Sequence, residues 1–393
     1  MASIVAAAVF ISRKFITSGL IQACGSCRSA ARRAWCGKVH CMMFPGEAAV
    51  PQPLDLIHDP APVLVEVVRG AMVESRHRGA FAVVDAAGRV VRSAGAIDQP
   101  IYPRSAIKPL QALPLLETGA ADKYGLGQEE LALACASHHG EPVHVQKVSA
   151  WLGRIGLGEG DLECGAHLPT DVPSAQALIR GSQPPSQLHN NCSGKHTGFL
   201  CTAACLGENP KGYIEAEHPV MRRVLAAVGD MTGTDMSRAP AGRDGCGIPV
   251  IGLTLQAMAQ GMARMADPTG LPDERRAAST RILDAMAAHP LLVDGTGGLA
   301  VEVMVVAGDK VRLKPGAEGV FCVSLPTLGL GIALKIEDGA GRAAEVAIAS
   351  LLDRLDCFTA DQRMALHPFL EPKIKNVAGV EVGLLRPAAA FDF

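Results

Sequence analysis

Apolar runs bounded by turn residues mark the N- and C-terminal parts of the chain, and apolar positions recur at helical spacing through its middle. The stretch 63-VLVEVVRG-70 reads as a strand, and Gly79 to Val84 with Arg89 to Ser93 reads as a strand pair joined by a turn over 85–88. From Ser105 the period lengthens, with Ile107, Leu110, Leu113 and Leu116 on one helical face and Gly119 as a stop. Pro109 and Pro114 interrupt that pattern, so the helix is bent or regular only at its start. Helical patterns follow at 128–140, 143–156, 194–207, 217–231, 250–266 and 273–290, strand patterns return over 300–316, 319–325 and 328–339, and a last helix covers 342–355. Strands at both ends with helices between predict an α+β fold, in which N- and C-terminal strands join one antiparallel sheet covered by helices.

No Pro/Gly/Ser linker divides the 393 residues, so a single domain over 47–393 is expected. Residues 1–46 carry Arg13, Lys14, Arg28, Arg32, Arg33 and Lys38 but no acid. That composition suits a transit peptide or an upstream extension with true initiation near Met42 or Met43, in either case without fixed structure. Apolar residues make up 48% and aromatics only 4%, which leaves the core to Ala, Val, Leu and Ile. The 37 basic and 39 acidic residues give a net charge of -2, with no basic field for nucleic acid or a membrane surface. A small-molecule substrate is favoured. Twelve cysteines are too dilute for a disulfide framework, so a reducing compartment is expected: cytoplasmic, or organellar if residues 1–46 are a transit peptide.

Five segments carry candidate chemistry. In 104-RSAIK-108, Ser105 and Lys108 lie three apart on the first turn of a helix, where a desolvated lysine can act as base toward the hydroxyl; a capping serine is the commoner meaning of that spacing. The run 131-LALACASHHGE-141 puts Ser137, His138 and His139 at a helix end, and Lys314 in 312-RLKPGAEGV-320 sits at a strand edge. The densest polar group is 188-LHNNCSGKHTGF-199, for which packing gives no obvious reason. Cys192 and Lys195 are three apart there, and a second cysteine, Cys246, occurs with Asp244 in the Gly-rich 242-GRDGCGIPV-250. Thiolates are ordinary zinc ligands. The residues alone point to His189, His196 or His167 as a third ligand, against the plainer reading of buried free cysteines.

These segments together resemble the Rhizobium etli-type L-asparaginases, the asparaginase II family, over about residues 62–385. The most specific piece is 189-HNNCSGKH-196, supported by 104-RSAIK-108, 136-ASH-138, 242-GRDGCG-247 and 314-KPGAEG-319. The resemblance implies a fold like that of serine β-lactamases and penicillin-binding proteins, a homodimer, and hydrolysis of L-asparagine to L-aspartate and ammonia. It also implies Ser105 as nucleophile with Lys108 as base, Ser137 with Lys314 as a second pair, and zinc held by Cys192, Lys195 and Cys246. Arg104, His196 and Asp244 would then meet the substrate's α-groups. A glutaminase, a β-lactamase-like acyl enzyme and a non-catalytic zinc protein are the competing readings. Around 294–306 the sequence is less like the family than elsewhere.

Overall fold

The segment 72-MVESRHRGAFAVVD-85 changes pattern halfway along. Up to Arg78 exposed and partly covered positions alternate, whereas Gly79 to Val84 are buried without a break. Alternation marks a strand with one face toward solvent, and an unbroken buried run marks a strand covered on both faces. The computed structural model, which describes residues 60–391, contains both environments in this one strand. The extension expected over residues 1–46 lies outside the described residues.

The strands are β1 (Val63–Arg69), β2 (Met72–Asp85), β3 (Val90–Ala94), β4 (Pro100–Ile101), β5 (Ala241–Arg243), β6 (Pro249–Ile251), β7 (Leu253–Thr254), β8 (Arg312–Gly316), β9 (Val320–Leu325), β10 (Leu330–Ile336), β11 (Lys373–Lys375) and β12 (Glu381–Pro387). The main sheet runs β11-β12-β1-β2-β10-β9-β8, with β3 also paired to β2. All of its pairs are antiparallel. The half-exposed start of β2 pairs with β1, and its buried end pairs with β10 from Gly79↔Ile336 to Asp85↔Leu330. N-terminal strands are thus inserted among C-terminal ones, and the expected α+β fold is observed.

Two helices cover the buried centre of the sheet: Leu255–Ala266 packs on β2, β9 and β10, and Gly341–Arg354 packs on β1, β9, β10 and β12. The first comes so close that a Cβ on Gly331 of β10 would overlap the carbonyl oxygen of Ala259. Among the described residues no helix is long and apolar enough to cross a membrane.

Three readings of the pattern are corrected. Residues 299–307 form a helix, Leu299–Ala307, rather than the start of a strand. The β-branched run looks alternating, but Leu299, Ala300, Val303, Met304 and Ala307 are the buried positions, and that spacing is helical. The helix expected from residue 250 begins at Leu255, because 249–254 pair as β6 and β7. The helix expected over 128–140 stops at Ala134, leaving 135–140 as a loop.

Gly331→Ala is expected to destabilise the protein by about 1–3 kcal/mol, the usual cost of forcing an extra group into a packed interior. A chemical-denaturation midpoint that does not fall would show that helix Leu255–Ala266 can move away from β10.

Candidate active site

The pairing of β4 with β7 fixes the extended run before Pro103. Arg104 then takes a left-handed backbone, φ 50°, a conformation that side chains other than glycine adopt at a cost. The chain continues as a 3-10 turn, Arg104–Ile107, and two short helices, Lys108–Gln111 and Leu113–Glu117, each with a proline in its first turn. This is the break that the prolines predict. Ser105 is partly exposed, and no described residue hydrogen-bonds its hydroxyl. Behind it runs β8: a Cβ on Gly316 would stand 2.9 Å from the Pro103 carbonyl oxygen and 3.0 Å from the Ala106 nitrogen. Glycine at 316 therefore lets the strand carrying Lys314 lie against the Ser105 turn.

Both lysines reach Ser137. The Lys108 Nζ donates to Ser137 Oγ at 2.9 Å and also to the Ala136 carbonyl. The Lys314 Nζ donates to the same oxygen at 2.8 Å and to the Pro315 carbonyl at 2.7 Å. Ser137 is partly exposed, whereas the lysines are 1% and 0% exposed. Two ammonium groups on one oxygen in a dry site repel each other and lack hydration, so neutral amine is favoured. Burial first, then Lys108, push Lys314 down to about 7. Burial likewise lowers Lys108, against the attraction of Cys192. The loop is pinned from two distant segments: Ser137 N–H donates to Val293 O at 2.8 Å, and His138 N–H donates to Asn191 O at 3.2 Å.

A second cluster forms where helix Ser193–Leu206 meets the hairpin of β5 and β6. The helix is buried over its first eleven residues, from Ser193 to Ala203. Gly194 lets it touch helix Gln128–Ala134, since a Cβ there would overlap the Leu133 carbonyl. Cys192 caps this helix, and its N–H donates to Asn190 Oδ1 at 2.8 Å. Asn190 in turn donates to the carbonyls of Cys164 and Gly165 at 2.9 and 3.1 Å. From the hairpin tip, Cys246 brings its Sγ to 3.1 Å from Lys195 Nζ, and its thiol faces Asp244 Oδ2 at 3.9 Å. Interaction with the Cys246 thiol, aided by the Lys108 and Lys195 charges, holds Cys192 well below the usual thiol range, and the same interaction raises Cys246. Burial opposes the charge on Lys195, but the two sulfurs outweigh it and its pKa is raised.

Arg104 Nε donates to Asp244 Oδ1 at 2.9 Å at the edge of this cluster. Burial would raise the Asp244 pKa, but Lys195 and Arg104 lower it overall. The charges of Cys192 and Lys108 act on each other, so the two clusters are electrostatically coupled.

The structure thus assembles Lys108, Ser137 and Lys314, assembles Cys192, Lys195 and Cys246, and pairs Arg104 with Asp244. It does not hydrogen-bond Lys108 to Ser105. The three histidines weighed as ligands are engaged elsewhere. His196 is fully buried, with Nδ1 2.8 Å from Tyr213 Oη. His167 Nε2 accepts from Asn191 N–H, and His189 Nδ1 accepts from Ser186 N–H. Among the described residues no three His, Cys, Asp or Glu side chains group to hold a metal; the Cys192, Lys195, Cys246 set counts an amine as its third donor. Unforeseen contributors are Asn190, Ser193 and the Val293 carbonyl. Part of the polar density at 189–196 is therefore structural, which sequence spacing alone could not separate from chemistry.

A family model described as L-asparaginase II matches residues 65–387. No curated protein matches the sequence. Solved structures that resemble it include Mglu in its native form, 14% identical over 72% of this chain and 66% of that one, TM-score 0.42. A β-lactamase from Mycobacterium bovis is 16% identical over 74% and 94%, TM-score 0.33. Simvastatin synthase from Aspergillus terreus is 12% identical over 66% and 86%, TM-score 0.34. The chain spans just under two thirds of the length of Mglu. Overlaps this low carry no argument about chemistry.

Asn190→Ala would strand two carbonyls and the Cys192 N–H. It should cost about 2–4 kcal/mol, given roughly 1–3 kcal/mol for each buried polar group left unpaired and partial relaxation of the loop. Urea unfolding measures this, and a loss below 1 kcal/mol would mean that water replaces the amide.

Proposed function

The chain belongs to the L-asparaginase II family, and from that premise we propose that it hydrolyses the side-chain amide of L-asparagine to L-aspartate and ammonia. The observation that carries the reading is the Ser137 oxygen bonded by two buried lysines at 2.9 and 2.8 Å. Such a site keeps an amine neutral near pH 7 and so supplies a base where serine chemistry needs one.

In this reading Ser105 is the nucleophile. Its proton passes to the neutral Lys108 amine as Oγ attacks the amide carbon, and that proton is returned to the departing nitrogen, which leaves as ammonia. Water then hydrolyses the acyl ester, giving its proton to the same amine and restoring the Ser105 hydroxyl. Ser137 connects Lys108 to Lys314, so a proton on one lysine can be shared with the other. Arg104 and Asp244 are assigned to the substrate's α-carboxylate and α-ammonium. His196, buried behind Lys195, is a neighbour of this region.

Cys192, Lys195 and Cys246 fit a zinc ion, because two thiols and an amine converge and one thiol ionises readily. Lys195 is an ammonium as it stands and must shed its proton to become a ligand. Zinc, when bound, would supply a positive charge that orients the amino-acid substrate. A second reading follows from the same geometry: Ser137, not Ser105, holds both lysines and is itself partly exposed, so it could be the attacking group.

Ammonia release from L-asparagine and L-glutamine separates these readings. Ser105→Ala should lower asparagine turnover by about 10³-fold or more, as loss of a nucleophile does, with bound zinc unchanged. Activity that survives in Ser105→Ala but not in Ser137→Ala moves the nucleophile to Ser137. No release from either amide by the zinc-loaded protein sinks the amide reading.

Lys108 acts as base only when uncharged, and Lys314, which shares its proton through Ser137, is pushed down to about 7 by burial and by Lys108. Turnover should therefore rise as pH increases through about 7, and Lys314→Arg, which stays protonated, should abolish it. A flat profile from pH 5 to 9 would remove Lys314 from the proton path.

A further inference from the structure

His138 follows Ser137 directly and takes no part in the chemistry above. It is 0% exposed, as is Ser193, which stands 55 residues further along and follows Cys192. His138 Nδ1 accepts from Gly140 N–H at 3.1 Å, so its proton sits on Nε2 and is donated to Ser193 Oγ at 2.8 Å. Ser193 passes its own proton to Leu188 O at 3.0 Å. The backbone N–H of His138 reaches Asn191 O. One residue therefore grips the chain on both sides of Cys192, at 191 and at 193, while its neighbour Ser137 holds both lysines. The ring lies flat against His144, centroids 4.9 Å apart and planes 9° from parallel.

We propose that His138 is a positioning residue that fixes Cys192 relative to Ser137 through its bond to Ser193, so that the sulfur-lysine cluster and the serine-lysine cluster keep one register. This rests on the amidohydrolase reading only in its kinetic consequence. A side chain that aims a ligand from behind is commonly worth about 10–100-fold in metal affinity or activity.

The test uses the full-length protein with His138→Asn, which keeps an acceptor for Gly140 N–H but loses the reach to Ser193. Ser193→Ala removes the same bond from the other side, and His138→Gln restores a donor at the longer reach. In zinc-stripped protein, alkylation of Cys192 by iodoacetamide is followed by peptide mass mapping, with Cys322, buried in β9, as the internal control. Zinc affinity is measured by competition with a chelator, and kcat and KM on L-asparagine are determined for the loaded protein.

Cys192 alkylation about tenfold faster at unchanged Cys322, zinc bound about tenfold more weakly, kcat lowered more than KM, partial recovery in His138→Gln and a double variant no worse than either single one are expected. Unchanged Cys192 alkylation and zinc affinity in both single variants, additive effects, or equal acceleration at Cys322 would overturn it. The alkylation and zinc measurements involve no substrate, so they decide the positioning role even if no amide is turned over.

Discussion

Two amines that share one hydroxyl oxygen away from water set the terms for everything around them. Their mutual repulsion and lost hydration must be met by contacts that accept protons without adding charge. The carbonyls of Ala136 and Pro315 fill that role. Burial is what shifts the arrangement from a pair of cations toward neutral amine. It is achieved by running β8 so close to the Ser105 turn that only glycine fits at 316. The sheet register, the broken helix after Pro103 and the loop over 135–140 all serve this one oxygen.

The second cluster obeys the opposite rule. Around Cys192, Lys195 and Cys246 the charges are of mixed sign, so an ammonium and an ionisable thiol stabilise each other in the interior. Placing a like-charge site beside an opposite-charge one lets each modify the other: an ionised Cys192 favours the charged form of Lys108, and a charged Lys108 favours the ionised sulfur. The scaffold needs rigidity where they meet, and this is where the dense hydrogen bonding of Asn190, Ser193 and His138 is found.

How much of this the sequence announced depends on the range of the interactions. The two-ended sheet was legible because short apolar, β-branched runs bounded by turn residues are a local signal. The helix Leu299–Ala307 was not, since Val-Glu-Val-Met-Val-Val satisfies both periods and only the packed surface chooses. The helix Val172–Arg180 carries Val172, Ala175, Leu178 and Ile179 at helical spacing but is only nine residues long and buries none of them, and β11 is three residues long with two of them exposed. At the site, the motifs named side chains that the fold brings together, but not their partners. Lys108 meets Ser137 because the loop after Ala134 is held by Val293 and Asn191, carbonyls that lie more than fifty residues away in the chain. Likewise, nothing in the spacing of 189–196 told that Gly194 is there for helix contact and Asn190 for the loop.

Arg104 keeps a left-handed backbone where glycine would be at ease, and its guanidinium reaches Asp244 from that position. Folding alone would not choose arginine there. Residue 104 is consequently a point at which a library sorted for thermal endurance and one sorted for turnover would drift toward different amino acids, and a sequence average drawn from the first would quietly erase the second.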